Sequence, residues 1–293
     1  AIIFFGKDPR EVSQRFASEN AFYYSFYSQL LSESPWKLWE DRLSEAPSAI
    51  LALRRFNIYQ ELCFGLLFQG LQGIFGESIS PASFYCLCVF IVYGLGLWAF
   101  FGSLETSAEV IFCGALYLSS FQACTHVAFM PPLRENCALP FWFCSMKVLQ
   151  EMYRNEDKVR WSQRVLFLTS VTSFLLLWQF ACFALLLQVL TIYALLLLDI
   201  VSASFVSMVS RLYVSSVILS FGLRFGDLWS LRSPFFSMAL VFCFVHRLGS
   251  WRLRVLLPVA VIVLHYLWPS SNEDDSHITA FLIFRIKAVL HDI

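Results

Sequence analysis

The sequence predicts an all-α polytopic membrane protein, and three observations lead there. The 293-residue chain is 58% hydrophobic and only 14% charged, whereas a soluble domain carries about 25% charged residues. Beyond Pro81 the apolar residues fall in span-like runs, and the charges gather in short segments between them. A soluble fold of this size needs a polar surface that this composition does not supply, so lipid is the expected solvent. The formal net charge of zero argues against nucleic acid as a partner.

The elements follow in chain order. Residues 1–81 interleave charges with aromatics, and Arg54, Arg55 and Glu61 interrupt the apolar stretch from Ile50 to Ile74. This mixture suits a loop with amphipathic helices at the interface better than a clean span. Apolar runs then cover 82–102, 108–125, 137–152, 164–178, 180–199, 204–222, 234–247 and 253–269. Val165 to Ile200 is too long for one helix, so it is divided near Trp178-Gln179, where polar character appears. Residues 82–269 thus read as a helical bundle of about eight spans, followed by a short segment over 270–293. The most basic short loops are Arg154 to Arg160 and His246 to Arg254. The positive-inside rule puts both in the cytoplasm, which places 1–81, 126–136, 223–233 and 270–293 on the opposite side. That side is the lumen if the membrane is the endoplasmic reticulum. Starting at Ala1 and stopping without a polar tail, the chain reads as an internal fragment or a truncated copy.

Nine cysteines are present, and Cys86, Cys88, Cys113, Cys144, Cys182 and Cys243 lie inside apolar runs. They read as small buried hydrophobes rather than a disulfide framework. The five histidines make no Cys/His spacing for zinc, so no metal site is predicted.

Polar residues on the predicted opposite side stand out in four places. They are Glu19, the segment Pro131-Pro132-Leu133-Arg134-Glu135-Asn136, the break Trp178-Gln179-Phe180, and Asp274-Asp275-Ser276-His277. Each is also accounted for as a solvated loop residue or a helix cap. Arg134 can offer several donors to a phosphate at headgroup depth. Snorkelling, or pairing with Glu135, is the plainer role.

At these residues the chain resembles the dumpy-nineteen family of protein tryptophan C-mannosyltransferases, from about residue 11 to about residue 285. Five motifs carry the resemblance, in order. Ser18-Glu19 with Tyr23-Tyr24-Ser25-Phe26-Tyr27 resembles S/T-E-x-x-x-Y-Y-S-Y. Arg55-Phe56-Asn57-Ile58-Tyr59-Gln60-Glu61 resembles R-x-N-x-Y-x-E. Pro132 to Phe141 resembles P-L-R-E and the P-F after it. Trp178-Gln179-Phe180-Ala181-Cys182-Phe183 resembles W-Q-F-x-x-F, and Asp275-Ser276-His277-Ile278 resembles D-x-H-I. The forms N-I-Y-Q-E and R-E-N-x-A-L-P-F are most similar to the third vertebrate paralogue's branch.

The resemblance implies a partial GT-C glycosyltransferase fold in a multi-pass endoplasmic-reticulum protein. It implies transfer of mannose from dolichyl phosphate mannose to C2 of a tryptophan indole, in W-x-x-W/C motifs of acceptors such as thrombospondin type 1 repeats. Glu19 matches the catalytic acidic position and Arg134 the position implied for the donor phosphate. Glu135 is expected to orient Arg134. Trp178, Gln179, Asp275 and His277 are expected to line the pocket, and the scheme needs no metal or cofactor. The sequence departs from the family at Ala17, where an arginine is usual two positions before the glutamate. The alternative is a catalytically inactive family member acting as a membrane scaffold.

Overall fold

A computed structural model describes residues 19–32, 40–41, 44, 49–75, 79–120, 133–247 and 251–267. Among these the architecture is all-α. The helices are α1 (Glu19–Ser32), α2 (Ala52–Arg55), α3 (Tyr59–Phe75), α4 (Pro81–Phe101), α5 (Ser107–Ser119) and α6 (Arg134–Arg154). They continue as α7 (Trp161–Leu177), α8 (Ala181–Leu197), α9 (Ala203–Leu223), α10 (Pro234–Phe242) and α11 (Trp251–Leu267). Single 3₁₀ turns lie at Glu156–Lys158 and Val245–Arg247.

The helix ends have local causes. Ser80, Thr106, Ser202 and Ser233 each accept a hydrogen bond from the backbone N–H three residues on, which caps α4, α5, α9 and α10. Pro81 and Pro234 occupy the first helical positions, where a missing N–H costs nothing. Helices α8 and α9 both end in Schellman turns. Ile200 N–H donates to Leu195 O and Gly226 N–H to Phe221 O, each at 3.0 Å. The left-handed residue of these turns is usually glycine, but here it is Asp199 at φ 56° and Phe225 at φ 54°.

Helices α4 to α11 occupy the eight apolar runs almost one for one, and the chain breaks at Trp178-Gln179-Phe180 between α7 and α8 as expected. Against the expected count of about eight spans, helix length and charge set two helices apart. Among the described residues, two helices, α4 and α9, are long and apolar enough to cross a membrane. Helices α5 and α8 are apolar but shorter. Helix α6 has the length but carries Arg134, Glu135, Lys147, Glu151 and Arg154. The run 234–247 forms a nine-residue helix and then turns, about 14 Å at 1.5 Å per residue. Apolar runs measure composition, and caps and turns inside them shorten the helix that results.

The core is built chiefly from α4 and α6 to α10, with Tyr85, Phe167, Phe174, Tyr213, Phe235 and Phe242 fully buried. Small residues let helices approach. A β-carbon at Gly96 of α4 would lie 2.6 Å from Pro140 Cα of α6. Ser207, Ser210, Ser216 and Ser220 lie among the buried residues of α9, with Ser216 Oγ donating to Leu212 O at 2.9 Å. Outside, Trp98 is 70% and Ile111 71% exposed, and apolar α5 has no buried residue. Such a surface suits lipid rather than water. Of the cysteines expected to be buried outside any disulfide, Cys86, Cys88, Cys182 and Cys243 are buried, Cys113 and Cys144 are half-buried, and none of the six is in a disulfide.

Hydrogen bonds and ion pairs gather the loops into two sets. In one, Arg154 pairs with Glu105, Tyr153 hydroxyl donates to Ile200 O, Ser202 to Glu156 and Tyr193 hydroxyl to Arg254 O. In the other, Tyr27 hydroxyl donates to Pro81 O, Tyr59 hydroxyl to Leu223 O and Asn57 Nδ2 to Leu176 O. The two basic loops fall in the first set and the 223–233 turn in the second, the grouping that the charge pattern predicts.

Candidate functional site

The second set of loops carries the candidate site, and Arg134 is its centre. This residue opens α6, whose N-cap residue Leu133 makes no side-chain capping bond. Arg134 is 4% exposed. Its Cζ lies 3.4 Å from the centre of the Tyr23 ring on α1, a cation–π contact strengthened by burial. Its Nη1 lies 3.2 Å from Glu61 Oε2 on α3. Yet among the described residues none of its three guanidinium nitrogens has hydrogen-bond geometry to an acceptor. A buried fork of five N–H donors is thus held on one face and one edge, with donor capacity left over.

Glu61 is held from one further direction. Tyr85 hydroxyl donates to its Oε1 at 3.0 Å, and Gln60 Nε2 donates to that hydroxyl at 2.6 Å. Burial raises the Glu61 carboxyl above the ordinary carboxylate value, and the Arg134 charge and the Tyr85 hydrogen bond oppose that rise without cancelling it.

Glu19 is exposed at the first position of α1. One helical turn on, Tyr23 is within electrostatic reach of both Glu19 and Arg134. Burial raises its hydroxyl, Arg134 pulls it down and Glu19 pushes it up. Tyr23 therefore joins the two residues singled out for chemistry, which lie more than a hundred positions apart in sequence. The i, i+4 spacing of Glu19 and Tyr23 was a legible signal for this.

Glu135, expected to orient Arg134, has its contact elsewhere among the described residues. Consecutive helix residues do not face each other, and the carboxylate paired with Arg134 is Glu61. Glu135 instead accepts a hydrogen bond from Trp178 Nε1, at 3.2 Å, through its Oε1. That contact ties the start of α6 to the α7–α8 break. Gln179 points elsewhere. It lines a neighbouring cavity of about 430 Å³ with Arg54, Arg55, Asn57, Arg224 and Asp227. Asp275, His277 and Ala17 lie outside the described residues.

Sequence reasoning quoted the R-x-N-x-Y-x-E motif without finding its work. Asn57 Nδ2 donates to Leu176 O at 2.9 Å, at the end of α7. Tyr59 hydroxyl donates to Leu223 O at the end of α9, and Glu61 holds Arg134. Three side chains spaced two apart thus tie down three helix ends, and the first two satisfy carbonyls that helices leave open. A small apolar cavity of about 160 Å³ lies among α3, α4, α6 and α7, lined by Cys63, Phe64, Val92, Cys137, Phe141 and Leu177 among others. Cys137 stands one turn along α6 from Arg134, so apolar space adjoins the arginine.

Among the described residues, fold and site together define an all-α bundle with two span-length helices and a buried arginine–carboxylate centre at one end. Residues 9–289 match the family described as Dpy19: Q-cell neuroblast polarisation, and the chain belongs to that family. It is 27% identical over 269 residues to the Mus musculus protein named Protein C-mannosyl-transferase DPY19L1, covering 79% of this chain and 35% of the relative. It is 27% identical over 304 residues to Probable C-mannosyltransferase DPY19L4 of Mus musculus, covering 93% of this chain and 41% of the relative. To C-mannosyltransferase dpy-19 of Caenorhabditis briggsae it is 25% identical over 328 residues, covering 95% of this chain and 47% of the relative. The chain thus spans less than half the length of these curated relatives.

Proposed function

We propose that this chain is the donor-binding part of a protein C-mannosyltransferase, a multi-pass GT-C enzyme of the endoplasmic-reticulum membrane. It would use dolichyl phosphate mannose and act on tryptophans in W-x-x-W/C motifs of secretory-pathway proteins. One observation carries this reading. Arg134 is buried at the first position of α6, paired through Nη1 with Glu61, while its Nε and Nη2 have no acceptor among the described residues. A phosphate matches that fork, and the helix dipole adds to it. The apolar cavity beginning at Cys137 offers space for the first part of the lipid chain. The relatives' names supply the sugar transfer.

In this reaction indole C2 attacks the anomeric carbon as the bond to phosphate oxygen breaks. Charge builds on the leaving phosphate, where a preorganised Arg134 stabilises it. The attacked ring carries a positive charge until the C2 proton leaves, and Glu19 takes that proton. The exposure of Glu19 leaves it open to a protein acceptor. Tyr23 and Glu61 position Arg134.

The test uses the intact protein, dolichyl phosphate mannose and a W-x-x-W peptide, read by mass spectrometry. Arg134→Lys keeps the charge but loses the bidentate fork, so donor affinity should fall at least about tenfold, a loss of about 1.4 kcal/mol. Arg134→Ala should lose more. Wild-type donor affinity in both variants refutes the assignment. A wild-type protein that binds donor lipid yet adds no hexose to the peptide supports a scaffold instead.

A further inference from the structure

A second arginine pocket lies beside Gln179. Arg224 is 5% exposed. Its Nη2 lies 2.7 Å from Asp227 Oδ2 and 3.4 Å from Arg54 O, and its Cζ lies 5.4 Å from the centre of the Trp229 ring. Among the described residues its Nε and Nη1 are buried without a hydrogen-bond partner. Nε–H lies on the Nη2 edge that Asp227 already takes up, so the donors left open belong to Nη1 at the far end of the guanidinium. Arg54 and Arg55 also line the cavity of about 430 Å³, which adds positive potential around Arg224.

The neighbouring surface indicates what carries the oxyanion. Helix α9, one of the two span-length helices, ends at Leu223, the residue before Arg224. Its outer face bears an apolar groove of about 400 Å³ lined by Ser215, Ile218, Leu219, Gly222 and Leu223. The Schellman turn at Phe225 reverses the chain, so Arg224 is buried while Leu223, Phe225 and Leu228 are each 40% exposed or more. A charged socket and an apolar channel therefore meet at adjacent residues, at the end of a helix long enough to cross the membrane. A soluble anion would match only the socket, whereas a phospholipid matches both parts.

We propose that the Arg224 pocket and the α9 groove together bind an anionic membrane phospholipid, with its phosphate in the pocket and one acyl chain along Ser215 to Leu223. This inference rests on α9 crossing the membrane and not on sugar transfer. The experiment is native mass spectrometry of the intact detergent-purified protein with phosphatidic acid, phosphatidylcholine or inorganic phosphate. Wild type should retain phosphatidic acid at least tenfold more strongly than phosphatidylcholine. Arg224→Gln should reduce that retention at least tenfold. Gly222→Trp places its side chain where a β-carbon meets no atom within 4 Å, so it fills the groove without disturbing the interior. It should lose the lipid, keep its melting temperature and leave phosphate binding unchanged. Equal lipid retention in wild type and Gly222→Trp overturns the proposal, even if Arg224→Gln fails to fold. So does binding of inorganic phosphate without lipid selectivity. Loss of phosphatidic acid in Arg134→Ala but not in Arg224→Gln would assign the lipid to the α6 site and equally overturn it. A shift from dimer to monomer in Gly222→Trp with lipid unchanged would make the groove a contact between two copies instead.

Discussion

Removing Arg134 should destabilise the protein in a pH-dependent way, because its partner can escape by binding a proton. The side chains of Arg134 and Glu61 are 5% and 2% exposed. Breaking such a pair by deleting one member costs about 3–5 kcal/mol when the survivor keeps its charge. After Arg134→Gln the guanidinium charge that opposes the effect of burial on Glu61 is gone, so its carboxyl, already raised by burial, rises further. A carboxyl raised in the folded state binds its proton more tightly there than in the unfolded chain. Stability is then fully present below the ordinary carboxylate value and falls as pH climbs toward the folded value. Each pH unit above about 4.3 costs about 1.4 kcal/mol. The penalty therefore grows from roughly 1 kcal/mol at pH 5 to roughly 4 kcal/mol at pH 7, which meets the range for a broken buried pair. Thermal melting of detergent-purified Arg134→Gln should show a drop larger at pH 7 than at pH 5 by about 6–12 °C, at about 2–4 °C per kcal/mol. Arg134→Gln with Glu61→Gln should remove the pH dependence. The same loss at both pH values, or a pH dependence surviving in the double variant, would refute the coupling.

Glu19→Gln should reduce C-mannosylation by at least a hundredfold while donor binding and expression stay near wild type, a loss confined to the transition state; mass spectrometry of a W-x-x-W peptide reads it, and an unchanged rate removes Glu19 as the base. Gly96→Val should cost about 1–3 kcal/mol by forcing α4 from Pro140, seen as a lower melting temperature, and an unchanged one would show that the helices repack freely. Phe225→Gly should raise stability by up to about 1 kcal/mol, since glycine takes the left-handed turn that phenylalanine adopts at φ 54° under strain; a lower melting temperature would show that the Phe225 side chain contributes more than the strain costs.

Much of the fold was legible because its signals are local. Eight apolar runs marked eight helices, the polar break at Trp178-Gln179 divided two of them, and the basic loops grouped at one end. Span length was less legible, because a run such as 234–247 counts apolar residues through the turn that ends α10. Two site residues, Glu19 and Arg134, stood out as ionisable groups near apolar segments, and the structure brings both to Tyr23.

The sequence by itself determined the class of fold, the family and the chemical types at the site, since hydropathy, caps and motifs are properties of neighbouring residues. Only the tertiary structure decided which carboxylate faces Arg134. Glu135 is adjacent in sequence but points away around the helix, while Glu61 arrives from another helix at 3.2 Å. The same holds for the work of Asn57 and Tyr59, whose partners lie 119 and 164 positions away, and for the pocket around Arg224. A pairing between distant segments depends on how helices pack, and that packing is set by the summed burial of side chains along all of them rather than by any short stretch of residues.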